Sequence, residues 1–168
     1  MAKSGKHFLC SSISKTLDPR VRVGWVWSRD HCKQLEYLKY VSSLTNSCVA
    51  PNALAQLLKG ADYDRHLRSL RLQLLKNRDH LVKLLGYWFP KETRHTMPDG
   101  GYLCWLELPA EIDSLQLHRQ AIENRINITP GVLFSPQGKF RNFIRLNYSC
   151  LHQMDAEKAV RTLASFIA

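Results

Sequence analysis

The sequence lacks a long apolar run: no window approaches the about 18 apolar residues that a membrane-spanning helix requires. The first ten residues carry no apolar core of about 7–15 residues, so a secretory signal is not expected. Cysteine is sparse, with five widely spaced residues and no Cys-x-x-Cys pair, which argues against a disulfide framework or a zinc finger. The few His/Cys pairs share no spacing, so no metal site is expected. These absences predict a cytoplasmic protein with reduced thiols and no membrane partner.

Basic residues are in excess. The 24 Lys and Arg outnumber 14 Asp and Glu, for a formal net charge of +10, in a chain of 168 residues that is 45% hydrophobic. Half of this excess lies between Arg65 and Lys83, where leucines at helical spacing occupy one face and the basic residues the opposite face. Such a face suits nucleic acid or an anionic ligand, but a basic helix face is more often simply solvated.

The first ninety residues predict two strands followed by three helices. The helix that begins after a capping Asp30 should turn Leu35, Leu38 and Val41 inward, because they recur at helical spacing. The predicted elements are a buried strand at Phe8–Ser11, a strand at Val21–Trp27, a helix capped by Asp30 that runs to about Leu44, a helix over Asn52–Lys59 with Pro51 at a first helical position and Gly60 just past its end, and a long amphipathic helix over Tyr63–Leu85.

The character of the sequence changes after Pro90. Strands of alternating polarity and short helices follow one another, which predicts an α+β layer from about residue 91 onward. The predicted elements are strands at 94–97 and 102–108 around the Pro98–Gly101 turn, a helix from a capping Ser114 to about Asn124, strands at 127–129 and 143–149, and a last helix capped by Asp155.

Two segments carry candidate chemistry. Ser12–Gly24 places Lys15 between two hydroxyls and seven residues before Arg22. A lysine amine forms Schiff bases with carbonyl cofactors, and hydroxyls with a guanidinium bind phosphate. Arg145 lies in a mostly apolar strand, an unfavourable place for a charge unless it meets a carboxylate or phosphate. On spacing alone, a solvated loop lysine is the more frequent outcome.

Five motifs in order resemble one family. The sequence is similar to fold-type I pyridoxal-phosphate enzymes, the class I/II aminotransferases, and most similar to the aminotransferase-like domain of MocR-type transcription regulators of the GntR superfamily. The motifs are Ser12–Gly24 (S-x-S-K-T-L-x-P-x-x-R-x-G), Asp62–Arg68 (Y-D-R-H-L-R), Pro98–Pro109 (P-x-G-G), Ile128–Ser135 (I-x-P-G-x-x-F) and Phe143–Ser149.

The resemblance assigns a role to each matching residue. Lys15 corresponds to the lysine that forms the Schiff base with pyridoxal 5'-phosphate and moves a proton between substrate and cofactor. Ser12 and Arg22 correspond to phosphate-binding positions, and Ser14 lies beside them with weaker support. Arg145 corresponds to the arginine that binds the α-carboxylate of the amino-acid substrate. The implied reaction transfers an amino group between an amino acid and a 2-oxo acid.

The sequence departs from the family at two points. Arg20 stands where the family usually carries glycine, so its side chain is expected to disturb the loop or to compete for the phosphate. All eight aspartates follow Lys15, and none matches the aspartate that the family places against the pyridinium nitrogen. The resemblance therefore implies the C-terminal half of an α/β pyridoxal-phosphate transferase fold: residues 1–60 from the large domain, 61–90 as the connecting helix, and 91–168 as the small α+β domain.

Three functions follow from this resemblance. The first is an aminotransferase, expected as this stretch alone to be inactive and to bind pyridoxal phosphate weakly or only by nonspecific Schiff-base formation. The second is the effector-sensing domain of a MocR-type regulator, with DNA bound only through an N-terminal winged-helix domain that these residues lack. The third is a truncated fragment without function. Lys15 and Arg145 serve the first two equally. A homodimer or larger assembly built through residues 1–30 is expected, because unpaired strand edges invite association.

Overall fold

The computed structural model describes residues 7–45 and 47–167, and the chain divides after Leu70 into an N-terminal and a C-terminal unit. Each unit has a sheet of its own, and no strand is shared between the two sheets in the described residues. The predicted division at residues 60 and 90 stays a prediction. None of the helices among these residues combines the length and the apolar character needed to cross a bilayer.

The N-terminal unit begins with a two-stranded antiparallel ribbon. Strand β1 (Leu9–Ser12) pairs with β2 (Gly24–Trp27), with Ser12 opposite Gly24. A Cβ atom at Gly24 would lie 3.0 Å from the carbonyl oxygen of Ser11, so the close approach of the two strands favours glycine there. Helices α1 (Cys32–Ser43) and α2 (Val49–Lys59) follow.

The predicted burial of this unit is wrong in two places. Every residue of β1 and β2 is exposed, because no third strand extends the ribbon in the described residues. On α1, Leu38 and Val41 are 56% and 55% exposed, and only Leu35 is half-buried. Helical spacing shows which side chains share a face, but burial also requires a surface that covers that face.

The starts of α1 and α2 also differ from prediction. The residue that precedes α1 is His31 rather than Asp30, and it makes no capping hydrogen bond through its side chain. Pro51 is the third residue of α2 instead of the first. This position tolerates proline because the amides of the first helical turn have no acceptor within the helix. Gly60 ends α2, as predicted.

Helix α3 (Asp62–Trp88) confirms the predicted amphipathic helix. Its leucine face is its least exposed side, with Leu81, Leu84 and Leu85 buried. Of the six basic residues on this stretch, five are exposed and Arg78 is the exception. The Arg78 side chain is 17% exposed and donates a hydrogen bond to the carbonyl of Pro98 at 3.0 Å. The predicted solvated face therefore includes one structural arginine.

The C-terminal unit contains a four-stranded antiparallel sheet in the order β3-β4-β6-β5. The α+β prediction for this part of the chain is confirmed. The strands are β3 (Arg94–His95), β4 (Leu103–Glu107), β5 (Thr129–Pro130) and β6 (Phe143–Asn147), and the helices are α4 (Ser114–Glu123) and α5 (Ala156–Ala164).

The core of this unit lies on one face of the sheet. Leu106 of β4 and Ile144 of β6 are opposite each other and fully buried, and Leu117 of α4 and Leu163 of α5 join the same cluster. Since strand side chains alternate, Arg145 lies on the face that this core does not use.

The cap predicted for α4 is wrong by one residue, and the cap predicted for α5 is confirmed. Asp113, rather than Ser114, caps α4 by accepting hydrogen bonds from the amides of Leu115 and Gln116. A carboxylate two residues before the free amides serves this role better than a hydroxyl already inside the helix. Asp155 caps α5, as predicted.

Candidate functional site

The lysine loop follows β1 directly. The Ile13 amide donates to the carbonyl of Val23 at 3.2 Å, which continues the ladder one residue beyond the ribbon. The Ile13 side chain is fully buried, and its carbonyl accepts the Leu17 amide at 2.8 Å. The turn that carries Lys15 is therefore anchored by Ile13, and Lys15 itself is exposed.

A second anchor ties this loop to the beginning of α3. The Thr16 hydroxyl lies 2.8 Å from the Tyr63 hydroxyl, and the His66 Nε2 atom lies 2.7 Å from the Thr16 carbonyl oxygen. Tyr63 and His66 belong to the Y-D-R-H-L-R motif. The motif was evident in the sequence, but its contact with the residue after Lys15 was not.

The predicted phosphate donors gather on this loop. Ser12, Ser14, Lys15 and Arg22 all lie on the two segments joined by the ladder; Ser14 is half-buried and the others are exposed. Arg22 has a left-handed backbone (φ 54°, ψ 38°), which is uncommon outside glycine. This conformation ends the short 3-10 turn Pro19–Val21 and turns the chain toward β2.

Arg20 is engaged by its neighbour. Asp18 caps the short 3-10 turn Pro19–Val21 and accepts the Arg20 amide at 2.7 Å. The Arg20 guanidinium also donates hydrogen bonds to both oxygens of the Asp18 carboxylate, the shortest of 2.6 Å from Nη2 to Oδ2. This hydrogen bonding from the Arg20 side chain, with that from its amide, lowers the pKa of Asp18 from 3.8 to about 2. The extra guanidinium therefore stabilises the turn.

Replacing Arg20 with the glycine usual in the family is expected to raise the pKa of Asp18 toward 3.8, but not fully, because the amide at position 20 still donates. Because folding lowers this pKa, the pair stabilises the fold above pH 3.8, and the contribution fades as the pH falls toward 2. Carboxyl chemical shifts followed by NMR between about pH 1.5 and 6 measure the change. An identical Asp18 midpoint in the Arg20→Gly and parent chains would contradict this account.

Arg145 lies in the middle of β6, opposite Trp105 on β4 and Thr129 on β5. Its guanidinium carbon is 4.5 Å from the centre of the Phe134 ring, a cation–π contact. The side chain is half-buried, and in residues 7–45 and 47–167 no acid forms an ion pair with it. A partly desolvated guanidinium in this setting is well suited to a carboxylate ligand.

An aromatic cluster lies beside Arg145 and includes Phe134 and Trp105. Trp105 contacts the rings of Phe134, Phe140 and Phe143 at centroid distances of 5.4 to 5.7 Å. Gly131 makes this packing possible, since a Cβ atom there would lie 2.5 Å from the Phe140 carbonyl oxygen. The sequence analysis did not predict this cluster; Phe134, in the I-x-P-G-x-x-F motif, was the available signal.

The sequence-predicted residues thus fall into two groups. Ser12, Ser14, Lys15 and Arg22 share one loop of the N-terminal unit, and Arg145 lies on the sheet of the C-terminal unit. The first group provides one amine together with hydroxyl and guanidinium donors, a set suited to a phosphorylated aldehyde. The second group is a single half-buried guanidinium, which is suited to a carboxylate. Neither group includes an aspartate for the pyridinium nitrogen, so these residues are only part of what amino-acid chemistry on such a cofactor requires.

Comparison with known proteins gives a family match and similar proteins. Residues 1–163 match the family described as aminotransferase class I and II. The HTH-type transcriptional regulators YdcR and YjiR of Escherichia coli (strain K12) are 35% and 36% identical over 94% and 85% of this chain, and the matches cover 34% and 30% of those proteins.

Among solved structures, the α-aminoadipate aminotransferase LysN from Thermus thermophilus, complexed with N-(5'-phosphopyridoxyl)-L-leucine, is similar with a TM-score of 0.86 and 27% identity. The match covers 95% of this chain and 41% of that one. The present chain spans about a third of the length of the curated relatives it matches. The predicted fold and the predicted relationship to HTH-type regulators are confirmed. The chain belongs to the class I and II aminotransferase family.

Proposed function

We propose that this chain provides the lysine and the carboxylate-binding arginine of a pyridoxal-phosphate-dependent aminotransferase-like protein. The observation that carries the proposal is the pairing of Ser12 with Gly24, continued by the hydrogen bond from the Ile13 amide to the Val23 carbonyl, because it brings the turn that carries Lys15 and the residue Arg22 to the same end of the ribbon. When bound, pyridoxal phosphate supplies an electron sink through which an amino group passes between an amino acid and a 2-oxo acid.

In this proposal each residue of the lysine loop has a separate task. The Lys15 amine is the covalent attachment point, and it also accepts and returns the proton at the α-carbon of the substrate. The Ser12 and Ser14 hydroxyls and the Arg22 guanidinium donate to the phosphate oxygens. Ile13 and Thr16 hold the loop in place. The Ile13 side chain is buried, and Thr16 contacts Tyr63 and His66 of α3.

Arg145 is proposed to bind the α-carboxylate. Its contact with the Phe134 ring limits the orientations of the guanidinium, so less conformational entropy is lost when a carboxylate binds. No acid of the described residues forms an ion pair with Arg145, so both terminal nitrogens of its guanidinium can donate to the ligand carboxylate.

Replacing Arg145 with glutamine is expected to weaken binding of an amino acid or 2-oxo acid by roughly tenfold to a hundredfold, about 1.5–3 kcal/mol, because a charge-assisted pair is lost. Absorbance from lysine-bound pyridoxal phosphate should persist, since Arg145 has no part in holding the cofactor. Titration of the cofactor-loaded protein with 2-oxoglutarate measures the effect. Arg119→Gln, an exposed arginine on α4, is the matched control. Loss of cofactor with substrate binding spared would reverse the assignment.

A second candidate function is effector sensing without turnover, in a transcription regulator. The identity of 35–36% with HTH-type regulators favours it. DNA would then be bound by a winged-helix segment outside these residues, and the chain would work in the cytoplasm. The same lysine and arginine serve both functions. A coupled assay with several amino acids and 2-oxoglutarate, run beside a binding titration on a protein extended upstream to include the large domain, separates them: binding with no turnover in that longer protein selects the regulator.

Self-association through residues 1–30 is part of the proposal. Both strands of the ribbon are exposed, including Leu9 at 59%, Trp25 at 45% and Trp27 at 51%, and exposed apolar strands favour pairing with another copy. Light scattering should report a dimer or larger species, which Val26→Lys should shift toward monomer. Leu115→Lys, at an exposed position on α4, should leave the mass unchanged. A monodisperse monomer of the parent chain would contradict the proposal.

A further inference from the structure

A cavity of 290 Å³ lies in the C-terminal unit, between α3 and the Pro98–Gly101 turn. Its walls are mostly apolar, with Leu74 and Leu75 on the helix side and Pro98 on the turn. Two residues of opposite charge, Arg71 and Asp99, also line it. Its volume is at the small end of the range for ligand pockets, which fits a molecule of amino-acid size.

The cavity is held open by contacts at both ends of the turn. Arg78 donates to the Pro98 carbonyl at 3.0 Å and is paired with Asp79 at 2.8 Å, so its charge is already balanced. At the other end, the buried Tyr148 hydroxyl donates to the Gly101 carbonyl at 3.2 Å. The turn is therefore positioned before any ligand binds, which lowers the entropic cost of binding.

Arg71 and Asp99 line the same cavity without pairing with each other or with another described residue. No ion pair within 4.0 Å involves either of them in the described residues. The guanidinium and the carboxylate are thus too far apart to neutralise each other directly. The amides of Gly100 and Gly101 likewise donate to no acceptor within the part of the chain that the structure describes. The cavity therefore offers donors for an anion and a separate acceptor for a cation.

We propose that this cavity binds a zwitterionic α-amino acid with an aliphatic side chain. Arg71 receives the carboxylate, Asp99 receives the ammonium group, and Leu74 and Leu75 contact the aliphatic side chain. The site does not include Lys15 or Arg145, and it does not depend on the function proposed for them. Such a pocket would let an amino acid bind the protein at a second place, apart from the cofactor.

The test is isothermal titration of the full 168-residue chain with L-leucine, without pyridoxal phosphate. Arg71→Gln and Asp99→Asn should each weaken binding at least about tenfold, because each removes one charge-assisted contact. Arg68→Gln on α3 and Glu157→Gln on α5 are matched controls at exposed positions and should bind as the parent chain does. Unchanged urea midpoints by circular dichroism establish that all variants are folded.

Two analogues test the zwitterion itself. L-leucinamide lacks the carboxylate and 4-methylpentanoate lacks the ammonium group, and each should bind at least about tenfold more weakly than L-leucine. Equal binding of 4-methylpentanoate would overturn the proposal in favour of a simple anion site. No binding of L-leucine to the parent chain would also overturn it. Arg145→Gln should retain L-leucine binding; loss there, with Arg71→Gln unaffected, would place the ligand at the other arginine and refute this cavity.

Discussion

Borohydride reduction in the presence of pyridoxal 5'-phosphate is expected to label Lys15 in preference to the other lysines of the chain. The amine stands on the same loop as the Ser12 hydroxyl and the Arg22 guanidinium, which attract the phosphate and raise the local concentration of the aldehyde. Pyridoxal, which lacks the phosphate, should lose this preference. A charge-assisted phosphate contact is worth about 1.5–3 kcal/mol, so labelling of Lys15 by the two aldehydes should differ at least about tenfold. Peptide mapping by mass spectrometry measures the fraction at each lysine.

Three variants make this experiment specific. Lys15→Arg keeps the charge and should abolish the labelled peptide, and Arg22→Gln should reduce the phosphate preference while leaving the amine in place. Lys33→Arg, at an exposed lysine on α1, should leave the label on Lys15 unchanged. Label spread evenly over exposed lysines, with no difference between the two aldehydes, would contradict the role given to the loop.

Replacing Ile144 with alanine is expected to destabilise the protein by about 2–5 kcal/mol, because it removes a fully buried side chain from the centre of the sheet. Ile144 faces Leu106 across β4 and β6, within the core cluster of the C-terminal unit. The adjacent residue of β6 is Arg145, so the same strand carries the core on one face and the candidate carboxylate receptor on the other. Urea unfolding followed by circular dichroism measures the free energy of unfolding.

The matched control for this substitution is Leu115→Ala, which removes a similar apolar volume from a position that is 43% exposed on α4. Its cost should be small, since much of that surface already contacts water. If both substitutions shifted the urea midpoint equally, the burial assigned to Ile144 would be wrong.

The local sequence pattern was sufficient to predict several elements. The leucine spacing of α3 predicted both the helix and its buried face, because side chains three and four residues apart share a side whatever else the chain does. The turn at Pro98–Gly101 and the cap at Asp155 were also correct, since both depend on backbone preferences of a few adjacent residues. The predicted cap of α4 was Ser114, whereas the observed cap is Asp113. Two residues that can cap a helix are adjacent here, and the sequence pattern does not decide which of them precedes the first helical residue.

Burial in the N-terminal unit was not predictable in this way. The runs at β1 and α1 have the composition of buried elements, yet both are exposed in the described residues. An apolar composition indicates that a face can pack against another surface. Whether the side chains on that face are buried depends on whether the fold places such a surface against them. Leu38 and Val41 were therefore placed on the right face and given the wrong burial.

By itself, the sequence determined the family, the order of its motifs, and two groups of candidate residues: Lys15 with its hydroxyls and arginine, and Arg145 in an apolar strand. Only the tertiary structure decided what holds them. The contact of Thr16 with Tyr63 joins residues 47 positions apart, and the packing of Gly131 against Phe140 puts the loop of Phe134 beneath Arg145. Such contacts depend on how distant segments meet in space, which periodicity along the chain does not encode.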